Sequence, residues 1–146
     1  MRINYACVMI YIHKRINEVI TMGIDTLSDC ELFIMKIIWR SKECLSLQEI
    51  VERVNRIYEK NWKPQTVSVF LGRIVKKNLL TSKRQGRQFF YYPTITEEEY
   101  CKKEAVKMVD SLGDGRADVF FAALAQARNL TADEKNRIRG ILDELD

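Results

Sequence analysis

With one histidine, two prolines and no Cys-x-x-Cys pair, this 146-residue chain has little with which to do metal or acid–base chemistry. Its four cysteines (Cys7, Cys30, Cys44, Cys101) are dispersed and zinc-ligand spacing is absent, which suits reduced, partly buried thiols in a cytoplasmic protein. The lone histidine, His13, has no Ser, Asp or Cys arranged with it as a triad, and no glycine-rich phosphate loop occurs. No catalytic residue, metal or cofactor is therefore expected. No apolar run approaches the roughly 18 residues that a membrane span needs, which argues against membrane insertion.

The absence with most consequence is that of carboxylates. From Lys60 to Pro93 there are eight Lys or Arg and no Asp or Glu, although the chain has 20 acidic residues. Residues 1–59 carry eight of each sign, and residues 94–146 carry eight basic and twelve acidic groups. The modest net charge of +4 thus hides one basic block beside an acidic C-terminal segment. Concentrated positive charge is what a phosphate-tracking surface needs; a solvated basic face is the other reading.

Within that block, Pro64 suits the first position of a helix. At 100° per residue, Val67, Phe70, Leu71, Ile74 and Val75 fall on one face, and Gln65, Val69, Gly72 and Lys76 on the other. Ser68 and Arg73 flank the outer face, and Lys63 and Thr66 lie at its start. An amide, small groups and cations suit base edges at the N-terminal end and phosphates further along. An ordinary amphipathic surface helix would share the pattern.

The segment before it repeats one device. Ser28…Glu31 and Ser46…Glu49 are capping boxes, stapled by Leu27 with Leu32 and by Leu45 with Ile50. They open helices to about Trp39, burying Leu32, Met35, Ile38 and Trp39, and to about Tyr58, with Ile50, Val51, Val54 and Ile57 inward. With a short turn at 60–63, the second of these and the basic helix make a helix-turn-helix. After Leu79 the period becomes two: 80–83, a turn centred on Gln85-Gly86, and 87–92 read as a β-hairpin with Arg84 and Arg87 at its tip. Its aromatics, Phe89, Phe90, Tyr91 and Tyr92, suit core and sheet packing better than base stacking, the other role open to them.

Past Pro93 the chain is acidic and helical, with further capping boxes at Thr96…Glu99 and Thr131…Glu134 and a break at Gly113-Asp114-Gly115. Apolar positions Tyr100, Met108, Val109 and Leu112, then Phe120, Phe121 and Leu124, then Ile138, Ile141, Leu142 and Leu145 exceed what some 50 residues can enclose. Packing against a second copy is the expected outlet. Residues 1–23 read as an N-terminal extension: the apolar run 5–12 is cut by His13-Lys14-Arg15, and Met22-Gly23-Ile24-Asp25 looks like a natural start. A non-essential extension is the preferred reading, and an extra helix packing on the domain or dimer is the alternative.

The expected fold is mainly α with a small β-hairpin wing: a winged helix-turn-helix over 24–94 and a helical dimerisation region over 95–146. In Leu27-Ser28, Glu31, Met35, Ile37-Ile38-Trp39, Ile50-Val51, Pro64-Gln65-Thr66-Val67, Leu71–Lys77 and Tyr91-Tyr92, the chain resembles the penicillinase-repressor family, the BlaI/MecI/CopY winged-helix transcriptional regulators. The resemblance implies a cytoplasmic repressor, homodimeric through its C-terminal helices, bound to a near-palindromic double-stranded DNA operator. It also implies a membrane sensor protease as a partner, with cleavage at an Asn-Phe bond in an apolar helix. Here that segment reads Val119-Phe120-Phe121-Ala122, so Phe120 and Phe121 mark the candidate site without the Asn. No cysteine follows Cys101, so the copper-responsive members' C-terminal Cys-x-Cys motif is absent. Ser68 and Val69 also depart from the longer basic residue and the Thr common at those positions, so the operator sequence is not transferable.

Overall fold

Four capping boxes set the helical frame. A computed structural model describes residues 26–145 of the protein, and the N-terminal extension lies outside them, as do His13 and Cys7. Helix α1 spans Asp29–Trp39 and α2 spans Leu47–Ile57. At each start the N-cap serine accepts from the amide three residues on while that residue's glutamate accepts from the serine amide. Thr96 with Glu99 and Thr131 with Glu134 repeat the exchange. Each cap is worth about 1 kcal/mol. Helix α3 spans Pro64–Lys76, with proline at its first turn as expected.

The chain divides into two compact units, through Cys101 and from Lys102. In the first, α1 packs against α2, α3 and the sheet. This central position explains why Ile34 and Ile37 are buried beside the expected Met35 and Ile38, while Leu32 and Trp39 are half-buried at the edge. Val67, Leu71 and Ile74 of α3 close the core from the other side, with Phe70 and Val75 half-buried around them. Ile57 departs from expectation at 54% exposed; the end of α2 packs instead through Tyr58, whose ring lies 4.5 Å from that of Phe33.

The sheet has three strands in the order β1-β3-β2, where the sequence suggested only a hairpin. Strands β2 (Leu80–Gln85) and β3 (Gln88–Pro93) pair antiparallel, and a two-residue strand β1 (Leu45–Ser46) joins the other side of β3. Two residues carry no readable alternation, which is why β1 escapes a periodicity argument. The hairpin loop is Gly86-Arg87, one residue later than the expected centre. Gly86, at φ 64°, supplies the positive φ that a two-residue hairpin turn requires at its first position. In this register Leu80 and Tyr91 lie on the face that meets the helical core, and Phe90 and Tyr92 on the other, where they cluster with Cys44.

Tyr100, expected on a dimerisation face, is instead 7% exposed in the first unit's core. Its hydroxyl accepts from the Leu27 amide at 2.8 Å, and its ring lies 5.5 Å from that of Trp39, whose indole N–H donates to the Ile95 carbonyl. Helix α4 (Glu97–Leu112) therefore begins as part of this unit.

The second unit holds the end of α4, α5 (Ala117–Ala127) and α6 (Ala132–Glu144). Gly113 ends α4 where a side chain could not: a Cβ there would lie 2.9 Å from the Arg116 carbonyl and 3.0 Å from that of Val109. Asp114 and Gly115 follow with φ of 50° and 76°. Among the described residues of this unit only Gly113 is buried. Met108, Leu112, Phe121, Leu124, Ile141, Leu142 and Leu145 are exposed; Val109, Phe120 and Ile138 are half-buried.

Candidate nucleic-acid interface

The turn between α2 and α3 is tied at one point. The Asn55 side chain accepts from the Trp62 amide at 2.9 Å and donates to the Trp62 carbonyl at 3.0 Å. The Trp62 ring then lies 5.2 Å from that of Phe70 on α3, and Glu59 takes a positive φ of 50° to turn the chain. These contacts fix the angle at which α3 is presented. Asn55 gave no sequence signal, because its role depends on a tryptophan seven residues away across a turn.

What α3 presents is its outer face. Lys63, Gln65, Thr66, Ser68, Gly72, Arg73 and Lys76 are all exposed, and Val69 is 55% exposed. A Cβ at Gly72 would meet nothing within 4 Å, so the helix backbone is bare there and open to close approach. Unlike the capped helices, α3 has no side-chain hydrogen bond at its N-cap, Lys63, and no acidic residue in its first turn. The positive end of its dipole is thus uncompensated, which favours an anion.

Arg84 and Arg87 are exposed at the wing tip, where the Arg84 guanidinium donates to the Gly86 carbonyl at 3.1 Å. Several cations of the basic block rest on rings: Arg73 on Phe70 at 5.8 Å, Lys60 on Phe33 at 5.2 Å and Lys83 on Tyr92 at 5.9 Å. Such stacking orients a charge without neutralising it. Lys77 is different. Its ammonium lies 2.6 Å from the buried Glu31 carboxylate and donates to the Thr26 carbonyl at 2.9 Å. It belongs to the interior pairing of α1 with α3, a role the charge count could not reveal.

The wing phenols add no negative charge. Burial raises the Tyr91 pKa, and burial together with the hydrogen-bonded Cys44 thiol pushes Tyr92 up to about 12. Both phenols are therefore neutral at neutral pH. Over residues 60–93 the exposed side chains are thus basic or neutral, with a polar face on α3 and two arginines at the wing tip. Such a set can neutralise phosphates and offer hydrogen bonds to base edges. Among the described residues no group of His, Cys, Asp or Glu could hold a metal ion, and no helix is long and apolar enough to cross a membrane.

A family model described as penicillinase repressor matches residues 27–144. The penicillinase repressor of Bacillus licheniformis is 27% identical over 121 residues, covering 83% of this chain and 92% of that protein. The methicillin resistance regulatory protein MecI of Staphylococcus aureus (strain N315) is 25% identical over 118 residues, covering 81% and 94%. Among solved structures, the DNA-binding domain of the repressor BlaI is 33% identical, covering 53% of this chain and 92% of that one, with a TM-score of 0.46. The monomeric form of B. licheniformis BlaI in complex with the blaP half-operator gives the same identity and coverage, with a TM-score of 0.45.

Proposed function

Because the chain belongs to the penicillinase-repressor family, we propose that it is a DNA-binding transcriptional repressor and not an enzyme. The observation that carries this reading is the carboxylate-free basic block, six of whose eight cations are exposed, spread over α3, the wing and the turn before α3. In this reading Lys63, Arg73, Lys76, Arg84 and Arg87 meet phosphates. Gln65, Thr66, Ser68 and Val69 face base edges, and Gly72 lets the backbone come close.

The repressor acts as a cytoplasmic homodimer on a near-palindromic operator. Support comes from the exposed apolar residues of the second unit, above all Leu112, Leu124, Ile141 and Leu142, which suit an isologous interface with a second copy. Relief of repression comes from an inducing signal of the antibiotic-resistance type, such as a membrane sensor protease cutting within α5 near Phe120 and Phe121. A cut there separates the α6 surface from the rest of the interface.

Titration of duplex binding against salt tests the core of the proposal. If each subunit neutralises about three or four phosphates, log K falls with log salt at a slope near −6. A slope shallower than about −2 overturns it and favours a winged helix used for protein interaction.

A further inference from the structure

Of the four consecutive aromatics on β3, three have packing partners in the described structure. Tyr91 packs on the helical core, and Phe90 and Tyr92 cluster with Cys44. Phe89 remains 51% exposed, one of three large exposed apolar residues among those described in the first unit, with Ile57 and Val69. The strand register says where it points. Phe89 stands opposite Arg84 as Tyr91 stands opposite Ser82 and Pro93 opposite Leu80, so all six share one face of the sheet. That is the face toward the helices, since Leu80 and Tyr91 belong to their core. Phe89 is thus the next residue out along the underside of the wing, past the core's edge and before Arg87 at the tip.

We propose that Phe89 is an apolar DNA-contacting residue, its ring lying against deoxyribose of the DNA backbone while Arg84 and Arg87 hold the adjacent phosphates. This rests on the DNA-binding reading above. Charge complementarity selects the occupant: the ring is exposed inside the carboxylate-free stretch, with a cation opposite it and another two residues away. A protein partner would not require that surround. Position excludes a wedge between base pairs: Gly86 and Arg87 lead at the tip, so Phe89 can flank a groove but not enter the stack first. Sugar contact is independent of sequence, so it adds affinity without choosing bases.

The test uses the full chain, a short mixed-sequence DNA duplex and heparin as a polyanion without a groove. Phe89→Ala should weaken duplex binding about tenfold, as expected for one apolar side chain losing its contact. The salt slope should stay as in wild type, because no phosphate contact is lost. Retention on heparin should not change. Phe89→Gln, which puts a polar side chain in place of the ring, should lose as much, and Phe89→Leu should recover most of it. Duplex affinity within twofold of wild type in Phe89→Ala and Phe89→Gln, a fall in salt slope, or an equal loss on heparin would each overturn the assignment. Failure of the wild-type chain to bind the duplex at all would instead strike the DNA-binding reading.

Discussion

Glu31 ties the start of α1 to the end of α3. It closes the α1 capping box through the Ser28 amide and takes the Lys77 ammonium from the end of α3. Burial alone would raise its pKa. The Lys77 hydrogen bond, the Ser28 amide and the charges of Lys77 and Arg73 outweigh burial and hold the carboxyl below its ordinary value of 4.5. A carboxyl lowered on folding stabilises the native state above its unfolded-state pKa, and that stabilisation is lost as pH falls through the folded value. Melting temperature should therefore decline on acidification below about 4.5, and Lys77→Met should flatten that decline. At neutral pH Lys77→Met should cost about 3 kcal/mol, because it strands a buried carboxylate. Its effect on the salt slope of DNA binding should be small, in contrast to the exposed cations; thermal melts and duplex titrations read the two separately.

Gly72 gives the opposite signature. With open space around its Cα, Gly72→Ala should raise helix stability by about 0.5–1 kcal/mol. In the proposed interface the added methyl faces DNA, so duplex affinity should fall while the melting temperature rises. A variant that binds as well as wild type would mean that no DNA backbone comes near this part of α3.

At the scale of elements, α3 and the wing have separable tasks in the proposed mode. Arg87→Ala should weaken binding to all sequences alike and reduce the salt slope by about 1 per wing. Gln65→Ala should instead relax preference at one base pair per half-site by about 1–3 kcal/mol, with the slope little changed. Binding measured on a panel of single-base operator variants distinguishes the two, and identical profiles for both mutants would contradict the division. The turn before α3 has its own test. Asn55→Ala removes both hydrogen bonds to Trp62 and should lower stability by about 1–3 kcal/mol, and DNA affinity with it, although Asn55 lies on α2 and not on the reading helix.

For the whole molecule, the C-terminal helices should act on DNA without touching it. Residues 94–146 carry net negative charge, which disfavours phosphate contact, while their apolar side chains suit a second copy. In the proposed dimer, joining two winged helices would make engagement of the second half-site intramolecular, which can raise affinity by about 10²–10⁴ without a new base contact. A chain ending after Cys101 should be a folded monomer with that loss of affinity. The end point matters: a cut after Pro93 would remove Ile95 and Tyr100 from the core and with them the bonds to Trp39 and Leu27. Sedimentation with duplex titration decides the matter, since full affinity from a monomeric fragment would refute the coupling.

Local chemistry explains what the sequence determined by itself. Capping boxes join residues three apart, the faces of α3 follow from 3.6-residue periodicity, and the hairpin follows from alternation around a glycine, so each is written within a few neighbouring positions. The basic block is legible for the same reason, being a contiguous run. The tertiary structure decided what depends on distant partners. Tyr100 reaches a residue 73 positions away, Trp39 one 56 away and Lys77 one 46 away, and no periodicity carries that information. The addition of β1 to the sheet and the exposure of Ile57 and Phe89 likewise depend on tertiary packing. Alternation could say that Phe89 and Tyr91 share a face, but only the packed fold shows that the core reaches one of them and stops short of the other.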